Sequence, residues 1–184
     1  IHMPRQIAAK GNLAKKLIRD EGGSPSFVTV GDYKWATCIS VNDGVVHGIP
    51  TNEPFKEGDV VGLDVGLLFE GYHTDTSWTK TVHSSQFTVD SNTERFVRVG
   101  EDALNKAIAQ AKAGNRIGHI SQAIQSTVEE AGFNIVKSLV GHGVGKKLHE
   151  PPQVPGILTK PISKTPVLEP NMVLAIEVIY NQGK

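Results

Sequence analysis

Two aspartates, Asp64 and Asp75, stand in strand-like runs on either side of Glu70-Gly71, a pair suited to a tight hairpin turn. With those two residues as the turn, Asp75 falls opposite Gly66 and Asp64 opposite Ser77. Side chains alternate with period two along a strand, and cross-strand partners share a face. The two carboxylates therefore become diagonal neighbours on one face, within reach of a common ion. Gly66 brings no side chain opposite Asp75, which leaves room there. Two carboxylates held close on a mostly apolar hairpin repel each other and resist desolvation, and a divalent cation removes both penalties. The alternative is a hairpin shifted by one residue, or one aspartate facing solvent.

Seven histidines are present. His83 and His119 lie among polar residues at element ends and are expected to be solvated, and His73 is expected to be exposed. His142 sits in Gly141-His142-Gly143-Val144-Gly145, among residues that cannot crowd it and that permit close approach of a ligand. A phosphate cradle would need a Lys-Ser/Thr ending and a following helix, and neither is present. His149-Glu150 follows, ahead of Pro151-Pro152, and His47 sits in Val46-His47-Gly48-Ile49-Pro50. A single loop histidine is ordinarily a surface residue. Together with two aspartates and Glu177, the set offers the oxygen and nitrogen donors of a divalent-metal site. Glu177 interrupts the apolar run Val173 to Tyr180, where an acid is costly unless paired or metal-bound. The plain alternative is a glutamate on an edge strand.

The elements that must position these residues follow from periodicity. Gln6 to Glu21 predicts a helix with Ile7, Leu13, Leu17 and Ile18 inward, ended by Gly22-Gly23. Thr37 to Val41 predicts a strand, and Val60 to Phe69 with Tyr72 to Val82 the hairpin. Thr93 to Ala113 is the longest helix candidate, with Phe96, Val99, Ala103, Ala107 and Ile108 on one face. A further helix spans Ile117 to Ala131, followed by a strand Asn134 to Leu139. Pro151 to Pro170 holds six prolines and predicts an extended loop, and Met172 to Tyr180 predicts a last strand. Mixed helices and an antiparallel hairpin mean an α+β class, with a loose symmetry of helix and strands in each half.

Composition narrows the function classes. The chain has 184 residues with 19 basic and 19 acidic side chains, so no cationic surplus marks nucleic acid as a partner. Apolar residues make up 39 %, enough for a core, and no run is long enough to span a membrane. One cysteine excludes an intrachain disulfide and fits a reducing, cytoplasmic setting. Ile1-His2-Met3 reads as the remnant of an expression tag.

These blocks resemble the type I methionine aminopeptidases. The similar segments are Cys38-Ile39-Ser40-Val41-Asn42, Val46 to Pro50, Asp64-Val65, Gly71 to Ser77, Gly141 to Gly145, His149 to Val154, and Met172 to Glu177, in that order. The resemblance implies the pita-bread fold, one catalytic metallopeptidase domain over residues 1–184 with internal pseudo-twofold symmetry. It implies two divalent metal ions, drawn from Co, Mn, Fe, Zn or Ni. Asp64, Asp75, His142 and Glu177 would be ligands, with Asp75 bridging and Glu177 also moving a proton. His47 and His149 would contact substrate without binding metal, and Tyr33 and Cys38 would lie at the methionine pocket. The substrates implied are peptides and nascent chains beginning with Met, near the ribosome, for a cytoplasmic monomer.

The sequence also departs from the family's pattern. Gly66, Val46 and Leu148 replace a common Thr, Cys and aromatic. The family's hairpin beyond the Glu177 strand, with a second bridging Glu, has no counterpart before Lys184, and the N-terminal helical segment is short. The chain is therefore expected to be an incomplete domain. Gly66 also gives an Asp-x-Gly pattern like that of the proline-specific aminopeptidases and prolidases of the same fold. A non-catalytic binding module is the further alternative.

Overall fold

The computed structural model describes residues 7–83 and 89–183, with side chains from Lys10 onward at the N-terminal end. Residues 1–3, the helix start at Gln6, and Lys184 lie outside the described residues. The chain divides into two compact units, one running to Glu94 and including Gly145–Leu148, the other Arg95–Val144 with His149–Lys184.

In the first unit, helix α1 (Ile7–Asp20) leads to β1 (Ser24–Pro25), a 3-10 turn at Phe27–Thr29 and β2 (Thr37–Val41). The hairpin follows as β3 (Val60–Val65), β4 (Leu67–Phe69), β5 (Tyr72–His73) and β6 (Thr76–Thr81). The end of α1 comes from its glycines. Gly22 takes φ of 82°, its N–H bonds the Arg19 carbonyl at 3.0 Å, and the Gly23 N–H reaches the Ile18 carbonyl at 2.9 Å. This is the Schellman arrangement, open to glycine because it lacks a Cβ. The buried side of α1 differs from the expected one. Gly11 and Ile18 are buried, whereas Leu13 and Leu17 are 40 % and 54 % exposed. Gly11 faces inward because a Cβ there would already stand 3.1 Å from Thr37 Oγ1.

The hairpin keeps the expected register. Glu70 and Gly71 both have positive φ, 49° and 81°, the requirement of a type I′ turn. Phe69 pairs with Tyr72, Leu68 with His73, Asp64 with Ser77 and Leu63 with Trp78. Each long strand is, however, broken in two, at Gly66 on one side and at Thr74-Asp75 on the other. The pieces join two three-stranded antiparallel sheets, β2-β3-β6 and β1-β4-β5. The break is a crowding effect. The Gly66 carbonyl accepts the Ser26 N–H at 2.9 Å. A Cβ at Gly66 would lie 2.6 Å from Ser26 Cβ and 2.8 Å from a Phe27 ring carbon. The space expected opposite Asp75 is thus taken by Ser26 and Phe27.

In the second unit, α2 (Ser91–Gln110) and α3 (Ile117–Glu130) precede β7 (Asn134–Ile135), β8 (Val140–Gly143) and β9 (Glu150–Pro155). A 3-10 turn at Ile162–Lys164 leads to β10 (Leu174–Ala175) and β11 (Tyr180–Asn181). Asp90 caps α2, accepting from the hydroxyl and N–H of Thr93 and from the Asn92 N–H, and these bonds, the Thr93 hydroxyl foremost, hold its carboxyl below the usual range. The strands form β10-β8-β9 and β11-β7. The core packs Ala103 and Ala107 against Ile117, Ile120, Ile124 and Val128 of α3, with Ile135, Val154 and Leu168. The expected α2 face holds except for Ile108, which is 52 % exposed. Helix α3 ends as α1 does: Gly132 has φ of 82°, with Gly132 N–H to Glu129 and Phe133 N–H to Val128.

Three expectations need correction here. The start of the proline-rich segment is strand and not loop, because Pro155 pairs with Val140 and Val154 with Gly141. The strands expected over Asn134 to Leu139 and Met172 to Tyr180 shrink to two-residue pairings. His119 is half-buried, and its Nδ1 accepts the Arg116 N–H at 3.0 Å, capping α3 in place of a hydroxyl or carboxylate.

Two consequences can be measured. A Cβ at Gly141 would sit 2.3 Å from the Ala175 carbonyl oxygen, a backbone atom of the neighbouring strand. Gly141→Ala should therefore destabilise by about 1–3 kcal/mol in chemical denaturation. Tyr180 packs on Phe96 and Phe133 with its hydroxyl donating to the Phe96 carbonyl, and burial pushes its phenol up to about 12 from 10.0. The unfolded chain then loses this proton first, so the contribution is intact below pH 10 and stability falls as pH rises toward 12. Tyr180→Phe should flatten that part of the stability–pH curve.

Candidate metal and substrate site

The first unit brings Asp64, Asp75, Cys38 and Tyr33 into one neighbourhood. Asp64 sits mid-strand on β3, flanked by Cys38 of β2 and Ser77 of β6. Asp75 lies between β5 and β6, where ladder pairing stops, and both aspartates are half-buried. Their charge is felt by the buried Cys38 thiol. Burial pushes that thiol up to about 11, the Tyr33 hydrogen bond opposes this, and the Asp64 and Asp75 carboxylates add to the rise. Tyr33 donates to the Thr37 carbonyl at 2.9 Å and stacks edge-on against Trp35 at 5.2 Å. Its phenol is pushed upward by burial first and by Cys38 next. Tyr33 and Cys38 thus form a neutral, hydrogen-bonded wall beside two carboxylates.

His47 belongs to the same unit and is exposed, in the left-handed region with φ of 56°. A histidine held there is uncommon. The cause is Gly48, whose carbonyl accepts the Ile39 N–H at 2.8 Å and whose missing Cβ would fall 2.1 Å from the Ile39 carbonyl oxygen. The turn is pressed onto β2, and the imidazole is left outward.

The second unit brings together His142, His149 and Glu177. His142 is buried on β8 between Gln153 of β9 and Ala175 of β10. Its Nδ1 lies 2.8 Å from the Gly143 carbonyl, which can only accept, so Nδ1 carries a proton and Nε2 is the ring nitrogen that faces Glu177. That Nε2 stands 3.4 Å from Oε1 of Glu177, whose side chain is 32 % exposed. The exposed His149 ring meets His142 edge-on, with centroids 4.4 Å apart. The glycines around His142 serve the strands more than a ligand. A Cβ at Gly143 would lie 2.4 Å from the Pro151 carbonyl oxygen, and none of Gly141, Gly143 or Gly145 has positive φ. Their absent side chains let β9 and β10 close on β8.

His73, like His119, is placed otherwise than expected: it is half-buried, with Nδ1 hydrogen-bonded to Ser26 and its backbone N–H bonded to the Gly145 carbonyl. Its partners come from distant segments, and no sequence spacing signals them. His83 is exposed, as expected.

The match to known families settles the class. Residues 4–184 match the model for metallopeptidase family M24. Methionine aminopeptidase 1 of Bacillus subtilis is 40 % identical over 99 % of this chain and 72 % of its own length. The chain belongs to metallopeptidase family M24, among its methionine aminopeptidases. The crystal structure of methionine aminopeptidase from Thermotoga maritima superposes with a TM-score of 0.91 at 39 % identity, covering 97 % of this chain and 70 % of that one. The α+β pita-bread fold is therefore the family's own. A prolidase from Pyrococcus horikoshii, covering 98 % of this chain and 50 % of its own, matches with a TM-score of 0.77 at 21 % identity, a likeness of fold alone. The chain spans about seven-tenths of the length of the two methionine aminopeptidases.

The family implies metal ions, and the donors suit them. Each unit by itself offers donors of the type that first-row divalent cations take: two half-buried carboxylates in the first, and an oriented imidazole nitrogen beside a carboxylate in the second. The Cys38 thiol should stay protonated at neutral pH, so iodoacetamide should label the native chain far more slowly than the urea-unfolded chain at pH 8. Comparable rates would show that Cys38 is neither buried nor held neutral.

Proposed function

We propose that this chain acts as one catalytic domain that removes the N-terminal methionine from peptides and nascent chains in the cytoplasm, working as a monomer. Asp64, Asp75, His142 and Glu177 would hold two divalent cations of the Co, Mn, Fe, Zn or Ni group. Bound cations supply Lewis acidity, which lowers the pKa of water and polarises a carbonyl. The observation that carries the reading is the His142–Glu177 pair: with a proton held on Nδ1 by the Gly143 carbonyl, Nε2, 3.4 Å from Oε1 of Glu177, is the ring nitrogen that would bind a cation beside that carboxylate.

The chain's own side chains take the remaining roles. Glu177, partly open to solvent, accepts a proton from the attacking water and returns one to the departing amine. His149 donates to the carbonyl oxygen of the first residue as charge grows there. His47, presented outward by its turn, hydrogen-bonds the scissile amide. Tyr33 and Cys38, both neutral, line the pocket for the methionine side chain, whose thioether gains from packing and needs no charged partner. The proline-directed reading rests on Asp-x-Gly at Gly66, but Gly66 is explained by the Ser26 and Phe27 that crowd it.

The test compares Met-Ala-Ser with Ala-Pro-Ala, each with Mn(II), Co(II) or Fe(II). Release of methionine alone supports the proposal, and release of alanine alone supports the proline reading. Turnover of neither peptide with any metal would remove the catalytic claim. Glu177→Gln should lower kcat by about 10²- to 10⁴-fold. Asp75→Asn should lower the metal content found by elemental analysis, and unchanged stoichiometry would sink its assignment as a ligand.

A further inference from the structure

Ser26 has no part in the reaction described above, yet it touches both strands that carry the aspartates. It is fully buried, directly after β1. Its N–H donates to the Gly66 carbonyl at 2.9 Å, two residues beyond Asp64. Its hydroxyl shares a hydrogen bond with Nδ1 of His73, two residues before Asp75. Ser26 is itself anchored: its carbonyl accepts the Thr29 N–H at 3.0 Å and the Thr29 hydroxyl at 2.7 Å. His73 is held from a second side, its N–H donating to the Gly145 carbonyl at 2.7 Å. Next to it, Thr74 closes the gap in the ladder, with its N–H on the Leu67 carbonyl at 2.8 Å and its hydroxyl accepting the Leu67 N–H at 3.1 Å.

These bonds sit where the regular hairpin stops. Between Val65 and Leu67, and between His73 and Thr76, strand pairing lapses, so the ladder alone does not fix Asp75 against Asp64. A ligand constellation needs its groups held to within about 0.5 Å. We propose that Ser26 and His73 form a positioning pair that sets the placement of Asp75 relative to Asp64, with Ser26 as the common anchor. The proposal rests on the reading of these aspartates as metal ligands, and the variants below separate the two.

Mn(II) is titrated into the metal-free chain and followed by calorimetry and by electron paramagnetic resonance. The thermal midpoint of each metal-free form is measured alongside. Ser26→Ala removes the hydroxyl. His73→Leu keeps the bulk without the nitrogen, and His73→Asn offers an amide group near the place of Nδ1. Ser26→Ala and His73→Leu should weaken Mn(II) binding about 10- to 100-fold, the size of effect seen when groups that orient ligands are lost. His73→Asn should restore affinity close to the parent, with a resonance signal like the parent's. A lowered midpoint with unchanged affinity in the folded protein would mark a merely structural role and overturn the proposal. Should Ser26→Ala fail to fold, equal affinities for His73→Leu and His73→Asn would overturn it. Asp75→Asn is the control. If it loses Mn(II) while Ser26→Ala and His73→Leu bind like the parent, positioning is wrong and the metal reading stands. If Asp75→Asn itself binds like the parent, the metal reading falls, and the positioning pair with it.

Discussion

Like charges held close repel, and in the first unit Asp64 and Asp75 are near enough to act on the same Cys38 thiol. Asp64 is fixed by ladder pairing on both sides, but Asp75 falls where the ladder lapses. Rigidity there comes from elsewhere, through Ser26, His73 and the Thr74–Leu67 bonds. The same electrostatic field reaches Cys38, whose thiol is kept protonated by burial and by the two carboxylates. Charge on one side and a neutral wall of Cys38 and Tyr33 on the other divide this neighbourhood into a part suited to cations and a part suited to an apolar side chain.

In the second unit the governing constraint is steric. His142 lies on the central strand of β10-β8-β9, and its neighbours Gly141 and Gly143 leave space that two backbone carbonyls fill. The bulge between His142 and Gly143 lets the strand follow β9 while Nδ1 meets the Gly143 carbonyl. That bond places a proton on Nδ1 and turns Nε2 toward Glu177. Substituting either glycine would therefore disturb chemistry through packing.

Each unit also solves the same local problem in the same way. Helices α1 and α3 both end on a left-handed glycine with the paired bonds of a Schellman motif, then pass into a short strand. The loose symmetry legible in the order of helices and strands thus extends to the hydrogen bonding at helix ends.

Much of the fold was legible in the sequence because it depends on neighbours in the chain. Positive φ at Glu70-Gly71 fixes the turn, the turn fixes the hairpin register, and that register places Asp64 opposite Ser77 and brings Asp75 to the break between β5 and β6. The helix ends follow from Gly22 and Gly132 by the same kind of local argument. The candidate site residues were also named from the sequence, through their types and their order. What the folded structure alone decided is which atoms meet. Ser26 and Phe27 fill the space at Gly66, His73 is tied inward, His119 caps a helix, and Leu13 and Leu17 turn outward. None of these leaves a periodic signal: the first two depend on partners far along the chain, His119 stands where a carboxylate or amide is the usual capping residue, and the outward turn of Leu13 and Leu17 follows from what packs against α1. The late strands shrink for a related reason: an apolar run states a preference for extended backbone, but only a partner supplies the hydrogen bonds that make it a strand.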